Sequence, residues 1–336
     1  MTRLAVTVVI CAYTEERFEY LRAAVLSIEL QTYPAHDIVI VIDHNERLFD
    51  RALSSFPNAT VIRNEGTKGL SGARNTGTCQ ANGNIIAFLD DDAEAYLDWL
   101  ERLANAYVGS HLLGVGGFIE PRWLSRRPRW FPSEFYWVVG CSYRGLPESP
   151  AALRNLIGAN MSVRRDVLAK LGGFTAEFGR VGARPSGVED TEFCIRARQR
   201  WPERDFLYEP RARVRHNVPA SRTRFNYFRM HCFNEGYAKA FMSRLVGKQD
   251  GLQAERNYVR QTLPRAVLRG LMDTLIRGDV SGIARAAAVI SGLAFTMAGY
   301  IVGTITRPQA VPGADQSGTS KSSPLSEPIE HKGVWR

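Results

Sequence analysis

Cysteine is scarce in this sequence, and none of it is arranged in pairs. Five cysteines are scattered over 336 residues, and no two have C-x-x-C spacing. This pattern argues against a disulfide framework and a thiolate zinc site, so we expect a reducing compartment. Two nucleotide-binding fingerprints are also missing: the chain has no G-x-x-x-x-G-K-[ST], and no G-x-G-x-x-G follows its first apolar run. P-loop kinases and nicotinamide dehydrogenases are therefore poor candidates.

The charge is not balanced. The chain carries 43 Lys and Arg against 34 Asp and Glu, a formal net charge of +9. Much of the excess lies in arginines that recur between Arg196 and Arg229. Such a stripe suits an anionic partner, whether a diphosphate, an anionic lipid surface or a nucleic acid, although a solvated basic face is the alternative. Hydrophobic residues make up 45% of the chain, so the chain is long and apolar enough to bury a large core.

Apolar, β-branched runs alternate with helical segments in the first half of the chain. The runs cover 5–12, 38–43, 60–63 and 84–89, and the apolar spacing of 18–31 predicts a helix. This βαβ alternation predicts an α/β fold with a mainly parallel sheet flanked by helices. Ligands bind at the carboxyl ends of strands in such sheets, so the polar residues after each run are the candidates for a site.

The second half is organised differently. Residues 118–150, rich in Trp, Pro and Arg, predict an irregular excursion that covers a cleft. A short strand is expected at 160–163, helices at 165–171 and 189–200, and a helical pattern from 227 to about 305. We therefore divide the chain into a catalytic domain at 1–220, a helical C-terminal region at 221–306 and a disordered, Ser- and Pro-rich tail at 307–336.

Three adjacent carboxylates form the strongest local signal. Asp90, Asp91 and Asp92 follow a buried strand directly, and such neighbours repel one another unless they share a cation. Oxygen ligands favour Mg²⁺ or Mn²⁺, which complete their coordination with substrate phosphates. The alternative is that Asp92 caps the next helix, expected at 96–106.

A glycine-rich stretch at 66–77 precedes the triplet. Its glycines allow a ligand to approach the backbone closely, and Lys68 and Arg74 offer positive charge to a phosphate. A glycine-rich turn before a tightly packed helix is the competing interpretation.

Taken in order, segments 8–13, 68–77, 88–92 and 187–190, together with Asp43, resemble the family 2 glycosyltransferases of the GT-A fold. The resemblance covers about residues 4–220. It implies a nucleotide-diphospho-sugar donor, a DxD-type metal site and inversion at the anomeric carbon.

The resemblance also assigns roles to residues. Asp43 would bind the base, Asp90 would lie near the ribose, and Asp92 would contact the metal. His216, at the end of an expected strand, would be a further metal ligand, although a lone His is usually structural. The other residues expected at the nucleotide, beside the glycine-rich stretch, are Ala12, Tyr13, Glu15 and Asp91.

The expected acceptor site contains a second acidic pair, Glu189 and Asp190. Asp190 would be the general base that takes the proton of the acceptor hydroxyl, and Glu189 would contact the acceptor or orient the loop. Two acids at a helix start are also an ordinary cap pattern. Asn160 would bind a hydroxyl, or is a buried and satisfied Asn. Arg222 and Arg224 would neutralise the leaving diphosphate, or belong to a solvated face.

The leading hypothesis is an inverting, metal-dependent hexosyltransferase that acts in cell-envelope or lipid-linked saccharide synthesis. A nucleotidyltransferase and a non-catalytic basic nucleic-acid-binding module are the alternatives. The second lacks a recognisable motif and leaves the triplet unexplained, so we expect no nucleic-acid partner. The charge-free run 286–306, with arginines before it, predicts a spanning or interfacial helix on the cytoplasmic side of the cell membrane. A helix packed in a cytoplasmic protein is the alternative.

Overall fold

A computed structural model describes residues 3–107, 111–179, 187–247 and 255–306. Its strands are β1 (Val6–Ala12), β2 (Asp37–Ile42), β3 (Thr60–Arg63), β4 (Ile85–Asp90), β5 (Ala93–Ala95), β6 (Leu112–Trp123), β7 (Ala151–Leu153), β8 (Asn160–Arg164) and β9 (Asp205–Val218). In the part of the chain that is described, they form one mixed sheet in the order β3-β2-β1-β4-β8-β6-β9-β5, with β7 paired to β9.

The helices are α1 (Phe18–Glu29), α2 (Glu46–Ser55), α3 (Leu70–Gln80), α4 (Trp99–Ala106), α5 (Arg165–Leu171), α6 (Glu189–Arg200), α7 (Phe225–Val246), α8 (Leu263–Arg277) and α9 (Ser281–Ile305). Short helical turns occupy Glu15–Arg17, Ser133–Val139, Ala176–Phe178, Ala220–Thr223 and Tyr258–Thr262. The expected α/β class with a helical C-terminal extension is confirmed.

The sheet is parallel in the part of the chain where the βαβ alternation predicts parallel strands. Strands β3, β2, β1 and β4 are parallel neighbours. Val8 and Ile10 of β1 pack into one buried cluster and Val9 into another, on the opposite face of the sheet. Strands covered on both faces read as continuous apolar runs, which is why the sequence located these four within a residue or two.

Two long strands go beyond the expectations: β6 was not expected, and of β9 only the part that ends at His216 was. Strand β6 runs into the segment interpreted as an irregular excursion, and β9 pairs with it in parallel. Glycines weaken a strand pattern, yet β6 needs one at 117, because a Cβ there would lie 1.8 Å from the carbonyl oxygen of Ala212 on β9. The excursion does include the turn Ser133–Val139, which borders the cleft described below.

The C-terminal helices pack on one another through small residues. A Cβ at Gly236 of α7 would lie 1.9 Å from the carbonyl oxygen of Thr296, and one at Gly299 of α9 would lie 1.9 Å from that of Phe233. These glycines let the backbones of α7 and α9 touch along parallel paths. The limits of the expected domains stay predictions, and the expected tail at 307–336 lies outside the described residues.

Candidate active site

The three aspartates meet a histidine because of strand register. Asp90 ends β4, and Asp91 and Asp92 connect it to β5. Ala93 of β5 is paired with His216 of β9, and the backbone N–H of Asn217 donates to the carbonyl oxygen of Asp92 at 2.9 Å. As a result, Oδ1 of Asp92 lies 3.1 Å from Nε2 of His216.

This cluster fits a divalent metal. One ligand atom from each of Asp90, Asp92 and His216 lies within 4.8 Å of the others. Oδ2 of the buried Asp91 has no hydrogen-bond partner among the described residues, so an acceptor faces the same region unsatisfied. Two carboxylates and an imidazole suit Mn²⁺ or Mg²⁺ with positions left for phosphate oxygens. The capping alternative for Asp92 is wrong, since the next helix starts only at Trp99.

The electrostatics separate the two buried aspartates. Burial, and then the adjacent charge of Asp92, raises the pKa of Asp91 to about 7. Burial would also raise the pKa of Asp92, but His216 and Arg17 hold it well below its usual range. For His216, burial disfavours the cation, yet the carboxylate of Asp92 raises the pKa to about 10.

Arginines complete the anionic end of the site. Nη1 of Arg17, in the turn after β1, lies 3.0 Å from Oδ1 of Asp91 and 3.1 Å from Oδ2 of Asp92. Arg222 lies 3.9 Å from Oδ2 of Asp92 and lines the cavity described below. Arg224 is exposed to solvent and does not line that cavity. Arg17 lies in the polar stretch after the first strand, where the sequence predicts site residues, but its own role beside the aspartates was not predicted.

The glycine-rich stretch is held by Asp43, the residue expected to bind the nucleotide base. Oδ2 of Asp43 accepts from the N–H of Gly69 at 3.0 Å, and Oδ1 accepts from Nδ2 of Asn64 at 2.6 Å. Both oxygens of Asp43 therefore fix the loop. Lys68 is exposed at its tip.

Arg74 is buried rather than displayed to solvent. Its Nη1 lies 3.0 Å from Oε1 of Glu189, and its Nη2 lies 3.4 Å from Oδ1 of Asp90. A Cβ at Gly158 would lie 2.5 Å from Nη2, so only glycine leaves room for the guanidinium there. Arg74 thus connects the donor end of the site to α6, and Glu189 serves it as counter-ion.

Asp190 lies one residue inside α6, where it does not cap the helix. Its Oδ2 accepts from the N–H of Gly158 at 2.8 Å, and its Oδ1 accepts from the N–H of Thr191 at 2.6 Å. Burial raises its pKa, opposed chiefly by the charge of Arg74. A carboxylate with a raised pKa is a stronger proton acceptor.

The remaining residues that the sequence predicts for the site are Asn160, Ala12, Tyr13 and Glu15. Asn160 is fully buried: its Oδ1 accepts from Nε1 of Trp99 at 2.8 Å, and its Nδ2 donates to the carbonyl oxygens of Phe118 and Ala212. This matches the alternative of a satisfied, structural Asn. Ala12 and Tyr13 lie at the carboxyl end of β1, and Glu15 is exposed beside them.

One cavity of about 400 Å³ joins these groups to the C-terminal helices. Its lining includes Asp90, His216 and Asp190. It also includes Leu293, Met297, Tyr300 and Ile301 of α9. Met297 and Ile301 are also 55% and 54% exposed, so the cavity opens on the apolar surface of α9.

Residues 7–172 match the family described as Glycosyl transferase family 2. The glucosyl-dolichyl phosphate glucuronosyltransferase of Haloferax volcanii is 33% identical over 310 residues, which cover 90% of this chain and 97% of the relative. The succinoglycan biosynthesis protein ExoM of Rhizobium meliloti is 27% identical over 190 residues, or 56% of this chain and 57% of the relative. The solved mannosyltransferase PcManGT of Pyrobaculum calidifontis, in complex with GDP-Man and Mn²⁺, shares the fold at 16% identity, with a TM-score of 0.53 over 88% of each chain.

These likenesses and the strand-end carboxylates define a glycosyltransferase of the GT-A fold. The chain belongs to the family 2 glycosyltransferases. The expected glycosyltransferase activity is thereby confirmed over the nucleotidyltransferase and the nucleic-acid-binding module. The individual roles assigned to site residues stay predictions.

Proposed function

We propose that this glycosyltransferase moves a sugar, with inversion, from a nucleotide-diphosphate donor to a hydroxyl of a lipid-linked saccharide at a membrane surface. The observation that carries this proposal is one cavity whose lining includes both the carboxylate and imidazole cluster and the exposed apolar side chains of α9. A soluble donor suits the polar part of this lining, and a lipid-linked acceptor suits the apolar part.

At the donor end, Asp90, Asp92 and His216 would hold the metal. A bound divalent ion would neutralise charge on the departing diphosphate. Arg222 reaches the same place, where its planar fork can bind phosphate oxygens. Lys68, exposed on the glycine-rich loop, would add a positive charge near the donor.

At the reacting centre, Asp190 would accept the proton of the attacking hydroxyl. Its two backbone hydrogen bonds fix the carboxylate at the cavity wall, and burial raises its pKa, which makes it a stronger proton acceptor. The hydroxyl oxygen forms the new bond to the anomeric carbon while the diphosphate leaves from the opposite side, which inverts the configuration. No covalent enzyme intermediate is needed.

At the acceptor end, the Haloferax relative supplies the class of substrate. Its name assigns it a glucosyl-dolichyl phosphate acceptor, and the likeness spans nearly the whole of both chains. The opening beside Met297 and Ile301 would let an isoprenyl chain leave the cavity along α9 without crossing a polar surface.

The membrane contact would be made by α8 and α9. Both expose large apolar side chains, including Leu268, Met272, Leu275, Ile276, Ile283, Ile290, Met297, Ile301 and Ile305. Helix α9 is long and apolar enough to cross a membrane, but α7 packs along it and carries Glu235, Lys239 and Arg244. We therefore favour a helix pair lying in the interface, on the cytoplasmic side where nucleotide sugars are made available, over a span.

The test uses full-length protein, Mn²⁺ or Mg²⁺, a panel of UDP-, GDP- and TDP-sugars, and a short isoprenyl phosphate that carries glucose. We expect one donor to give metal-dependent transfer, release of the nucleoside diphosphate, and a product with inverted anomeric configuration by NMR. Release of pyrophosphate, or a product that retains the donor configuration, would contradict the proposal.

A further inference from the structure

Four charged side chains form a cluster in the cavity that Asp190 also lines. They are Arg154, Glu235, Lys239 and Glu255. Nη1 and Nη2 of Arg154 lie 2.6 and 2.8 Å from the two carboxylate oxygens of Glu255. Nζ of Lys239 lies 3.0 Å from Oε1 of Glu255 and 3.1 Å from Oε1 of Glu235.

Folding stability gives little reason for this cluster. Its members come from three separate segments: the end of β7, helix α7 and the turn before Tyr258. The side chains of Arg154 and Lys239 are only 9% and 18% exposed. Partly buried ion pairs lose much of their mutual attraction to desolvation, and apolar residues of similar volume often serve stability as well. Charged groups in a cavity are better explained by a ligand that uses them.

The charge balance of the cluster indicates which kind of ligand. Two cations and two carboxylates leave no net positive charge, and Glu255 already occupies both ends of the Arg154 fork. A phosphate entering here would meet carboxylates as well as cations. Hydroxyl groups both donate and accept, so a neutral polyol can bridge the fixed charges without separating them.

The walls around the cluster suit a sugar ring. The cavity is lined beside it by Trp137, Tyr143, Tyr227 and Tyr258. The rings of Tyr143 and Tyr258 meet edge to face, with centroids 5.4 Å apart at 78°. Aromatic side chains offer a flat apolar face to a pyranose ring and, in Tyr, a polar tip to its hydroxyls.

Glu235 connects the cluster to the proposed base. Among the described residues, Glu235 makes an ion pair with Lys239, whose Nζ lies 3.1 Å from Oε1 of the carboxylate. Both Glu235 and Asp190 line the cavity. The charge of Glu235 also contributes to the raised pKa of Asp190, which places the two carboxylates within electrostatic reach of one another.

We propose that Arg154, Glu235, Lys239 and Glu255 form the subsite for the neutral sugar residue of the acceptor, and that Glu235 directs one of its hydroxyls toward Asp190. The inference rests on the proposed function, because it takes the acceptor to be a lipid-linked saccharide. It adds that the enzyme selects an uncharged sugar ring here, and that the acceptor phosphate lies elsewhere.

The test compares Glu235→Gln and Lys239→Gln with the control Glu203→Gln, which makes the same chemical change at an exposed position after α6. Three probes are used: glucosyl isoprenyl phosphate, the same isoprenyl phosphate without glucose, and methyl β-D-glucoside. Transfer gives KM and kcat for the first probe. Inhibition constants are measured for the other two.

Each substitution weakens hydrogen bonds from a charged group, so we expect the acceptor KM to rise at least ~10-fold. Donor affinity with Mn²⁺ should stay within ~3-fold of wild type. Inhibition by methyl β-D-glucoside should weaken in parallel, whereas inhibition by isoprenyl phosphate should not change. Weaker inhibition by isoprenyl phosphate with unchanged inhibition by the glucoside would overturn the proposal and make the cluster a phosphate site.

A second measurement separates the subsite from the proposed function. Binding of methyl β-D-glucoside can be followed by saturation-transfer NMR without any transfer reaction. If the wild-type protein binds the glucoside and Glu235→Gln does not, the subsite stands even where no donor is turned over. If both bind it equally, or if the acceptor KM is unchanged while the melting temperature falls, the cluster is structural and the inference is wrong.

Discussion

Replacing Asp190 by Asn tests the centre of the proposed reaction. The substitution keeps the shape of the side chain and removes its basicity. We expect kcat to fall by about 10²–10⁴-fold, while donor affinity in the presence of Mn²⁺ stays close to that of wild type. The donor groups named above lie on β4, β9 and the turn before α7, and the variant leaves them in place.

The contacts of Asp190 set the expected stability. Its carboxylate accepts two backbone N–H groups, at 2.8 Å from Gly158 and 2.6 Å from Thr191. An Asn side chain can accept only one of them with its oxygen, and an unsatisfied donor costs about 1–3 kcal/mol. In the opposite direction, the variant no longer places an ionised carboxylate in a site where burial raises its pKa. We expect these effects to offset each other to within about 1 kcal/mol, or ~2–4 °C in Tm.

The sign of the pH dependence follows from the direction of that shift. Burial raises the pKa of Asp190 above its usual value, so ionisation is disfavoured in the folded protein and the charge lowers stability as pH rises past the unfolded value. Activity has the opposite trend, because only the ionised form accepts a proton. Wild-type kcat should therefore fall as pH drops through the raised pKa, and the Asn variant should lack this limb.

The assay is kcat against pH for wild type, Asp190→Asn and the control Asp166→Asn, which changes an exposed acid of α5. The control should match wild type throughout. Retention of more than about a tenth of kcat by Asp190→Asn, or an unchanged acidic limb in that variant, would refute the role of Asp190 as base. A parallel loss of donor affinity would make it a nucleotide-binding or structural residue instead.

Three further predictions follow from other parts of the structure. Asp92→Asn should abolish Mn²⁺-dependent donor binding measured by calorimetry. It should also lower the free energy of unfolding by about 3 kcal/mol or more, because His216 and Arg17 lose a buried counter-ion. Normal donor binding with chelator present would exclude the metal role. Leu275→Glu with Ile276→Glu should release the protein from membranes, whereas Leu53→Glu on α2 should not; equal solubility of all three proteins would remove the case for an interfacial helix. Gly299→Val places a side chain against the backbone of Phe233. It should reduce the rate of transfer to a lipid-linked acceptor more than it reduces the rate of donor hydrolysis. Ala298→Val, on the exposed side of α9, is the control.

The donor side of the site could be predicted because its signals are local. Asp90, Asp91 and Asp92 follow a strand whose apolar run is continuous, and the strand end alone places them at the sheet edge. The partners of these acids are a different matter. His216 joins them through the pairing of β5 with β9, a register that no single stretch of sequence displays. Arg17 reaches them from the turn after β1, 74 residues away in sequence.

The arginine-rich stretch shows how a strand can be mistaken for a charged surface. In 211–216, Arg211, Arg213 and Arg215 alternate with buried Ala212, Val214 and His216. Alternation with period two is the signature of a half-buried strand, and it was available in the sequence. These arginines pair with acids or stack on Tyr96, as in the 3.0 Å contact between Arg213 and Glu120, so they do not form one surface for an extended anion.

The acceptor side is predictable only from the assembled fold, and this difference bears on how the enzyme works. Arg154 and Glu255 are 101 residues apart in sequence, and Lys239 lies between them, yet their ion pairs close one wall of the cavity. That wall depends on α7, whose position depends in turn on its glycine contacts with α9. A change at the membrane face of α9 can therefore reach the acceptor pocket through two packed helices, while Asp90 and His216 lie on strands of the sheet. Donor binding should thus tolerate loss of the membrane, and transfer should not.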